Sequence, residues 1–188
     1  MSLTGVNNTQ MRRGKPPLYF GLSLVCLCFC LAVKAEDQRT FMDLAALPMT
    51  PLSEQPLKGL AGKPLLVQFW ASWCGSCGSI MWELDELQRA HPQTTYLAVS
   101  TDDQAEPARR YVQKHALFKQ RSESFVHDAG AAWASAFAVE TVPTIVLLDA
   151  HGQVMHRHLG HLNSADIQTF RKQMAALESH SASQEASK

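Results

Sequence analysis

Residues 65–77 read LLVQFWASWCGSC, and this stretch decides the fold. Its first six residues form a nearly continuous apolar run, which is typical of a strand covered on both faces of a sheet. After Cys77, apolar residues recur at spacings of three and four until Pro92, so the sequence predicts an amphipathic helix there. Two cysteines therefore stand where a buried strand gives way to a helix.

The spacing of Cys74 and Cys77 indicates redox chemistry. Two residues three positions apart on a helical turn face the same side, within the range that a disulfide can close. The loop between them is so short that a structural disulfide would add little stability, which favours exchange. The positive end of the helix dipole favours the thiolate of Cys74, so Cys74 is the predicted nucleophile and Cys77 the residue that resolves the mixed disulfide.

The N-terminus has the pattern of a secretory signal. Basic residues at 12, 13 and 15 precede the uncharged run 18–33, and Ala35 follows, so we predict a signal peptide over 1–35 with cleavage after Ala35. The 16-residue run is shorter than the ~20 residues of a usual membrane helix. An uncleaved anchor at residues 18–33 and a translation start at Met11 are the alternatives.

The composition of residues 36–188 excludes several classes of function. They hold 13 basic and 17 acidic residues, a net charge of −4, which gives no electrostatic footprint for nucleic acid. They hold only two of the five cysteines, and a zinc site needs about four ligands, so the pair is not predicted to bind metal. We predict one domain over 36–180 and a disordered tail over 181–188.

Periodicity predicts a mixed α/β order. Residues 36–63 are predicted to be an irregular lead-in, with a short strand or hairpin within it as the alternative. The elements predicted after it are strands at 65–70 and 94–100, helices at 77–91, 108–115 and 129–137, a hairpin at 144–148 and 153–159, and a last helix capped by Asn163 or Ser164. Residues 117–128 are expected to be irregular or extended. Early alternation of strands and helices implies parallel pairing, and the hairpin adds antiparallel strands, so we expect a mixed sheet flanked by helices.

Two motifs in this chain resemble those of a known family. The segment 66–77 is similar to the active-site strand and helix start of thioredoxins, and Thr141-Val142-Pro143-Thr144 resembles their cis-proline loop. The long gap between the motifs leaves room for a small insertion around 101–127, as in the exported TlpA/ResA-like branch. The segments 149–152 and 157–160 also resemble that branch, and the resemblance covers roughly residues 50–178.

The resemblance implies a thioredoxin-like fold and a thiol–disulfide oxidoreductase. Trp73 would shield the cysteines, Pro143 would be cis beside them, and Val142 would offer its backbone to an extended substrate. The redox-active disulfide Cys74–Cys77 would serve without a further cofactor or metal. The protein would be a periplasmic or otherwise exported monomer that acts on protein disulfides and dithiols. It would act as a reductant that a membrane redox partner recharges, in some family members during cytochrome c maturation.

The chain also departs from the family pattern. Gln68 stands where thioredoxins usually have a buried acid, and Ile80 stands where TlpA/ResA-like proteins often have one. Both positions that usually hold a proton acceptor for Cys77 are therefore occupied by neutral residues. We expect water to handle the proton at Cys77, with Glu83 and Glu140 as the other candidates. The motif predicts the reaction, but it does not fix the redox potential.

Four histidines near the C-terminus invite a metal site. His151, His156, His158 and His161 lie in and beside the predicted hairpin, but no carboxylate or cysteine in the pattern completes a ligand set, so polar positions of an edge hairpin are favoured. A copper carrier of this fold and a disulfide oxidant or isomerase are the alternative functions.

Overall fold

The computed structural model describes residues 46–52, 60, 62–115, 118 and 124–185, with side chains as far as residue 180. The predicted signal or anchor at 1–35 lies outside these residues. The described residues fall within one unit, Arg39–Lys188. None of the helices in the described part of the chain combines the length and apolar character needed to cross a bilayer.

A six-stranded mixed sheet forms the centre of this unit. The elements in chain order are β1 (Thr50–Pro51), β2 (Leu65–Trp70), α1 (Cys77–Ala90), β3 (Thr95–Ser100), α2 (Ala105–Lys114), β4 (Phe125–His127), a 3-10 turn (Ala129–Ala131), α3 (Ala132–Ala136), β5 (Thr144–Leu148), β6 (Val154–Leu159) and α4 (Ser164–Glu185). The strand order is β1-β4-β3-β2-β5-β6.

The central strands are the apolar runs of the sequence. Every residue of β2 and of β5 is buried, which confirms that the continuous apolar runs are strands covered on both faces. Two hydrophobic clusters lie on the two faces of the sheet. One contains Leu66, both cysteines, Ile80 and the α4 residue Phe170, and the other contains Val67, Phe69 and Trp133.

The outer strands were only partly predicted. β4 lies in the segment expected to be irregular or extended, and it pairs parallel with β3 and antiparallel with β1. Both strands are too short to show periodicity, since β1 has two residues and β4 three. The small insertion between β3 and the proline loop therefore consists of α2 and β4 in the described residues.

The last helix is longer than the sequence predicted. Asn163 caps it, because its Oδ1 accepts hydrogen bonds from the N–H groups of Ala165 and Asp166. It continues to Glu185, which corrects the expectation of a disordered tail for residues 181–185. The reason lies in the absence of Gly and Pro after Ser164, so no residue there stops a helix. Residues 186–188 lie outside the described part.

Candidate active site

The register of the sheet brings the two motifs together. β2 pairs parallel with β3, with Trp70 opposite Ser100, and antiparallel with β5, with Phe69 opposite Thr144. The chain that leaves β2 toward the cysteines therefore lies between the residues that follow Ser100 and those that precede Thr144. Three segments distant in sequence meet at this edge of the sheet.

The two cysteines form a disulfide with an S–S distance of 2.01 Å. Cys77 is the first residue of α1, and Cys74 lies in the turn before it, where the N–H of Cys77 donates to the carbonyl of Cys74 at 3.3 Å. Cys74 retains 8% of its exposure and Cys77 only 1%. Because an external disulfide can reach only the more exposed sulfur, this difference supports Cys74 as the attacking residue.

The proline loop lies where the resemblance implied. The Val142–Pro143 peptide bond is cis, as expected, and Pro143 is buried. Val142 is half-buried and packs against the hydrophobic cluster that contains both cysteines. The carbonyl of Pro143 accepts a hydrogen bond from the N–H of Gly160 at 2.8 Å, which ties this loop to the end of β6.

Trp73 stands out from the surface beside the cysteines. Its side chain is 73% exposed, the highest value among the exposed large hydrophobic residues of the described chain. An exposed tryptophan is a flat apolar surface, and aromatic side chains carry much of the energy of protein interfaces.

Gln68 lies beneath Cys77 in a fully buried polar chain. The Tyr96 hydroxyl donates to Gln68 Oε1 at 2.7 Å, and Gln68 Nε2 donates to the carbonyl of Cys77 at 3.2 Å. Burial raises the pKa of Tyr96, so its hydroxyl keeps its proton and remains a donor. The amide that replaces the usual acid is thus a positioning group that is fixed at both ends.

Asp102 is a site residue that the sequence analysis missed. Its carboxylate is buried and accepts hydrogen bonds from the N–H of Ser72 at 2.9 Å, the hydroxyl of Ser72 at 2.7 Å and the hydroxyl of Ser100 at 2.7 Å. Ser72 and Asp102 lie two residues beyond the paired Trp70 and Ser100. The sequence did contain a signal for it, because Asp102 comes just after β3, which was expected to pair in parallel with β2. The carboxyl ends of parallel strands lie at the same edge of a sheet, so an aspartate there lies near the segment that follows β2.

An aromatic group from the insertion covers the first turn of α1. The ring of Tyr111 lies 5.3 Å from that of Trp70 and 4.6 Å from that of His115, and it stacks on Phe118. A Cβ on Gly78 would lie 2.5 Å from the Tyr111 hydroxyl. The glycine that follows Cys77 is therefore what lets α2 approach the helix of the cysteines.

The other candidates are distributed around this centre. Ile80 is buried in the cluster of the cysteines, Glu140 is exposed, and Glu83 lies partly buried two turns along α1.

The histidines near the C-terminus lie in and beside β6. This strand is at the edge of the sheet, as the sequence predicted for the hairpin that carries them. His156 packs on the edge of Phe170 with ring centroids 4.8 Å apart, and His158 lies 3.6 Å from Asp166. Within the described ranges no group of three or more His, Cys, Asp or Glu side chains is arranged to hold a metal ion.

Known proteins resemble this chain in sequence. A model of the Redoxin family matches residues 35–174, which is most of the chain. The chain belongs to the Redoxin family. This Redoxin chain is 24% identical over 116 residues to the thiol-disulfide oxidoreductase ResA of Halalkalibacterium halodurans, covering 61% of the chain and 64% of that protein. It is 30% identical over 124 residues to the soluble secreted antigen MPT53 of Mycobacterium tuberculosis, covering 64% and 65%. The chain thus spans just under two thirds of the length of these relatives.

Solved structures place this Redoxin chain in the thioredoxin fold. A secreted disulfide oxidoreductase of Mycobacterium tuberculosis superposes with a TM-score of 0.54 at 24% identity, covering 74% of this chain and 96% of that one. A thiol:disulfide interchange protein from Chlorobium tepidum superposes with a TM-score of 0.55 at 22% identity, covering 70% and 99%. The predicted fold, a mixed sheet flanked by helices with a small insertion before the proline loop, is confirmed.

Proposed function

We propose that this protein exchanges disulfides with exported proteins, and that it acts as a reductant. The observation that carries the proposal is the Cys74–Cys77 disulfide at the head of α1, next to the cis-proline loop and the exposed Trp73. The name of the ResA relative, thiol-disulfide oxidoreductase, and the secreted character in the name of MPT53 support it.

The geometry supports a two-step exchange. In the reduced protein, the Cys74 thiolate attacks one sulfur of a substrate disulfide and releases the other substrate sulfur as a thiolate. The buried Cys77 thiolate then attacks Cys74 Sγ, which breaks the mixed disulfide and releases the second substrate thiol. Two electrons pass to the substrate, and the protein is left with the Cys74–Cys77 disulfide.

The exposed edge beside the cysteines suits an extended substrate. Val142 precedes a cis bond that turns the chain sharply, and its backbone groups can pair with a substrate strand in the manner of an added β-strand. The exposed Trp73 would add an apolar contact to the same substrate. Oxidised protein would be recharged by a membrane dithiol donor, because a compartment kept oxidising supplies no reductant of its own.

The equilibrium of the cysteine pair with glutathione tests the direction of exchange. A potential near about −270 mV, the value of thioredoxin, supports a reductant, whereas one near about −120 mV makes the protein an oxidant and contradicts the proposal. The full chain is equilibrated in glutathione buffers, and the oxidised fraction is measured by alkylating the free thiols. A metal titration with and without the two cysteines separates exchange from the copper-carrier alternative, which requires binding that both cysteines support.

A further inference from the structure

A groove lies between α1 and the start of α4. Its volume is about 430 Å³, within the ~300–1,000 Å³ range of small-ligand sites. One wall is Glu83 of α1, and the other is formed by residues of the β6–α4 connection and the first turns of α4. These residues are His161, Leu162, Asn163, Ser164, Ile167 and Gln168.

Glu83 is the only acidic residue among the described lining residues of this groove. Its Oε2 atom is buried, and no hydrogen-bond donor in the described part of the chain reaches it. A buried carboxylate oxygen without a donor is costly, because the charge has lost water and gained no partner. Because no lysine or arginine lines the described walls opposite the Glu83 carboxylate, the groove is complementary to a cationic donor.

The helix end at the groove does not favour an anion instead. Asn163 Oδ1 already accepts from the N–H groups of Ala165 and Asp166, and the Asp166 carboxylate accepts from the N–H of Asn163. The N–H groups of Asn163, Ala165 and Asp166 are thus occupied, and the Asp166 carboxylate offsets the positive end of the helix dipole. What remains is a carboxylate beside the apolar side chains of Leu162 and Ile167.

The groove adjoins the exchange centre. Glu83 lies six residues after Cys77 on the same helix, or about 9 Å along its axis at ~1.5 Å per residue. The opposite wall begins one residue after Gly160, whose N–H donates to the carbonyl of Pro143. Leu162 and Ile167 also pack in the hydrophobic cluster that contains both cysteines.

We propose that this groove binds a lysine or arginine side chain of the substrate polypeptide, next to the disulfide that is being exchanged, with its ammonium or guanidinium group on the Glu83 carboxylate. The methylene stem of such a side chain packs on Ile167 and the edge of Leu162, as long basic side chains do on apolar surface. Glu83 is then a specificity residue for substrates with a basic residue near the cysteine. This inference rests on the exchange activity proposed above.

Disulfide-linked peptide dimers that differ at one position test the inference. The position takes Lys, Gln, Met or Glu and is moved stepwise along either side of the cysteine. The rate constant for reduction by the reduced full-length protein is measured for each peptide, in native protein, in Glu83→Gln and in Glu86→Gln. Glu86 is exposed on the same helix and is the matched control for loss of one charge.

At the best position and low salt, the native protein should reduce the Lys peptide about five-fold faster than the Gln peptide, the size of effect of one partly exposed ion pair. The Lys-to-Gln ratio should fall below about two in Glu83→Gln and persist in Glu86→Gln. Comparing ratios removes the effect of Lys on the reactivity of the peptide itself.

Several outcomes would overturn the proposal. Three results would show that the groove does not bind a basic side chain. They are a Lys-to-Gln ratio of rate constants near one in the native protein, a ratio that persists in Glu83→Gln, and a preference for the Glu or Met peptide. An equal loss with both Lys and Gln peptides in Glu83→Gln shows that Glu83 acts on the exchange chemistry. Measurable reduction of the Gln peptide without a Lys preference rejects the docking alone, whereas no reduction of any peptide rejects the exchange activity and the docking together.

Discussion

Asp102 accepts two hydrogen bonds from Ser72, one from its backbone N–H at 2.9 Å and one from its hydroxyl at 2.7 Å. Ser72 lies two residues before Cys74, so the carboxylate at the end of β3 fixes the turn that carries Cys74, the proposed nucleophile. The same carboxylate accepts from Ser100, and the backbone carbonyl of Asp102 lies 2.7 Å from His127 Nε2. Asp102 thereby links three neighbouring strands at the active-site edge.

Replacing Asp102 should destabilise the fold. Asp102→Ala removes a buried acceptor and leaves three donor groups of Ser72 and Ser100 without it, so the free energy of unfolding should fall by about 3 kcal/mol. Urea unfolding of the oxidised protein measures it. Asp103→Ala, at the exposed neighbouring position, should change the free energy by less than about 0.5 kcal/mol. Equal losses in the two variants would show that the Ser72 contacts contribute nothing.

The sequence predicted the central part of this fold because its residues carry the pattern themselves. Local residue patterns were enough to predict three elements. They are the apolar run of β2, the apolar stripe of α1 and the turn residues of the β5–β6 hairpin. The cysteine pair and the cis bond before Pro143 followed from two short motifs. The contact between Ser72 and Asp102 could not be predicted in this way, because it depends on the register between β2 and β3.

The pairing of β1 with β4 shows the same limit. Pro51 lies opposite Val126, and neither strand is long enough to alternate. Likewise, nothing around Gly78 in the sequence indicates that the Tyr111 hydroxyl approaches it. Such contacts arise from the way distant segments pack, which the local pattern of a single sequence does not encode.

Placing an acid beneath Cys77 should add an ionisation to the pH dependence of exchange. Gln68→Glu places a carboxyl at a fully buried position, where burial should raise its pKa above the ordinary ~4.3. The pH profile of the exchange rate should then show an additional ionisation that the native protein lacks. The stability should also fall as pH rises through the raised pKa, since the folded state holds that proton more tightly than the unfolded state.

The exposed position Gln153 provides the control for this variant. Gln153→Glu adds the same charge on the β5–β6 turn, and it should leave the pH profile of exchange unchanged. A profile for Gln68→Glu that matches the native one would contradict a role of residue 68 in proton handling at Cys77.

The burial of the two cysteines predicts which variant traps substrate. Cys77→Ser leaves the more exposed Cys74 to attack but removes the thiol that resolves the intermediate, so mixed disulfides should accumulate. Cys74→Ser should leave a thiol at a position only 1% exposed and should trap little. Mass spectrometry after reaction with a disulfide peptide distinguishes them. Equal trapping by both variants would reject the assignment of Cys74 as nucleophile.

His156 should make the fold less stable in mild acid. Burial lowers its pKa, the charge of His158 lowers it further, and Asp166 opposes them. In the unfolded chain the histidine pKa is ~6.5. As the pH falls, the unfolded chain therefore binds the proton at a higher pH than the folded chain does. The contribution of neutral His156 to the free energy of unfolding is therefore complete above the unfolded-state pKa. It is lost as the pH falls through the lower pKa that His156 has in the folded state.

Unfolding curves at pH values on either side of this window measure the loss. His156→Gln should reduce the dependence of stability on pH, whereas His151→Gln, at an exposed turn position, should keep it. An unchanged dependence in His156→Gln would assign the effect to other groups.

Gly78 and Tyr111 should be coupled. A Gly-to-Ala change inside a helix normally stabilises it by ~0.5–1 kcal/mol, but here the new Cβ would lie 2.5 Å from the Tyr111 hydroxyl. The ring is packed by Trp70, His115 and Phe118, so it cannot move aside freely. Gly78→Ala should therefore lower the free energy of unfolding by about 1–2 kcal/mol, as overpacking does.

Removing the hydroxyl should reverse the sign of this effect. In a Tyr111→Phe background the nearest ring atom to the new Cβ is Cζ at 3.8 Å, an ordinary contact, so Gly78→Ala should become neutral or stabilising. A double-mutant cycle by urea unfolding measures the coupling. The same cost of Gly78→Ala in both backgrounds would mean that the backbone of residue 78, and not the approach of Tyr111, requires the glycine. A reversal would instead show that the insertion is packed directly onto the first turn of the helix that carries Cys77.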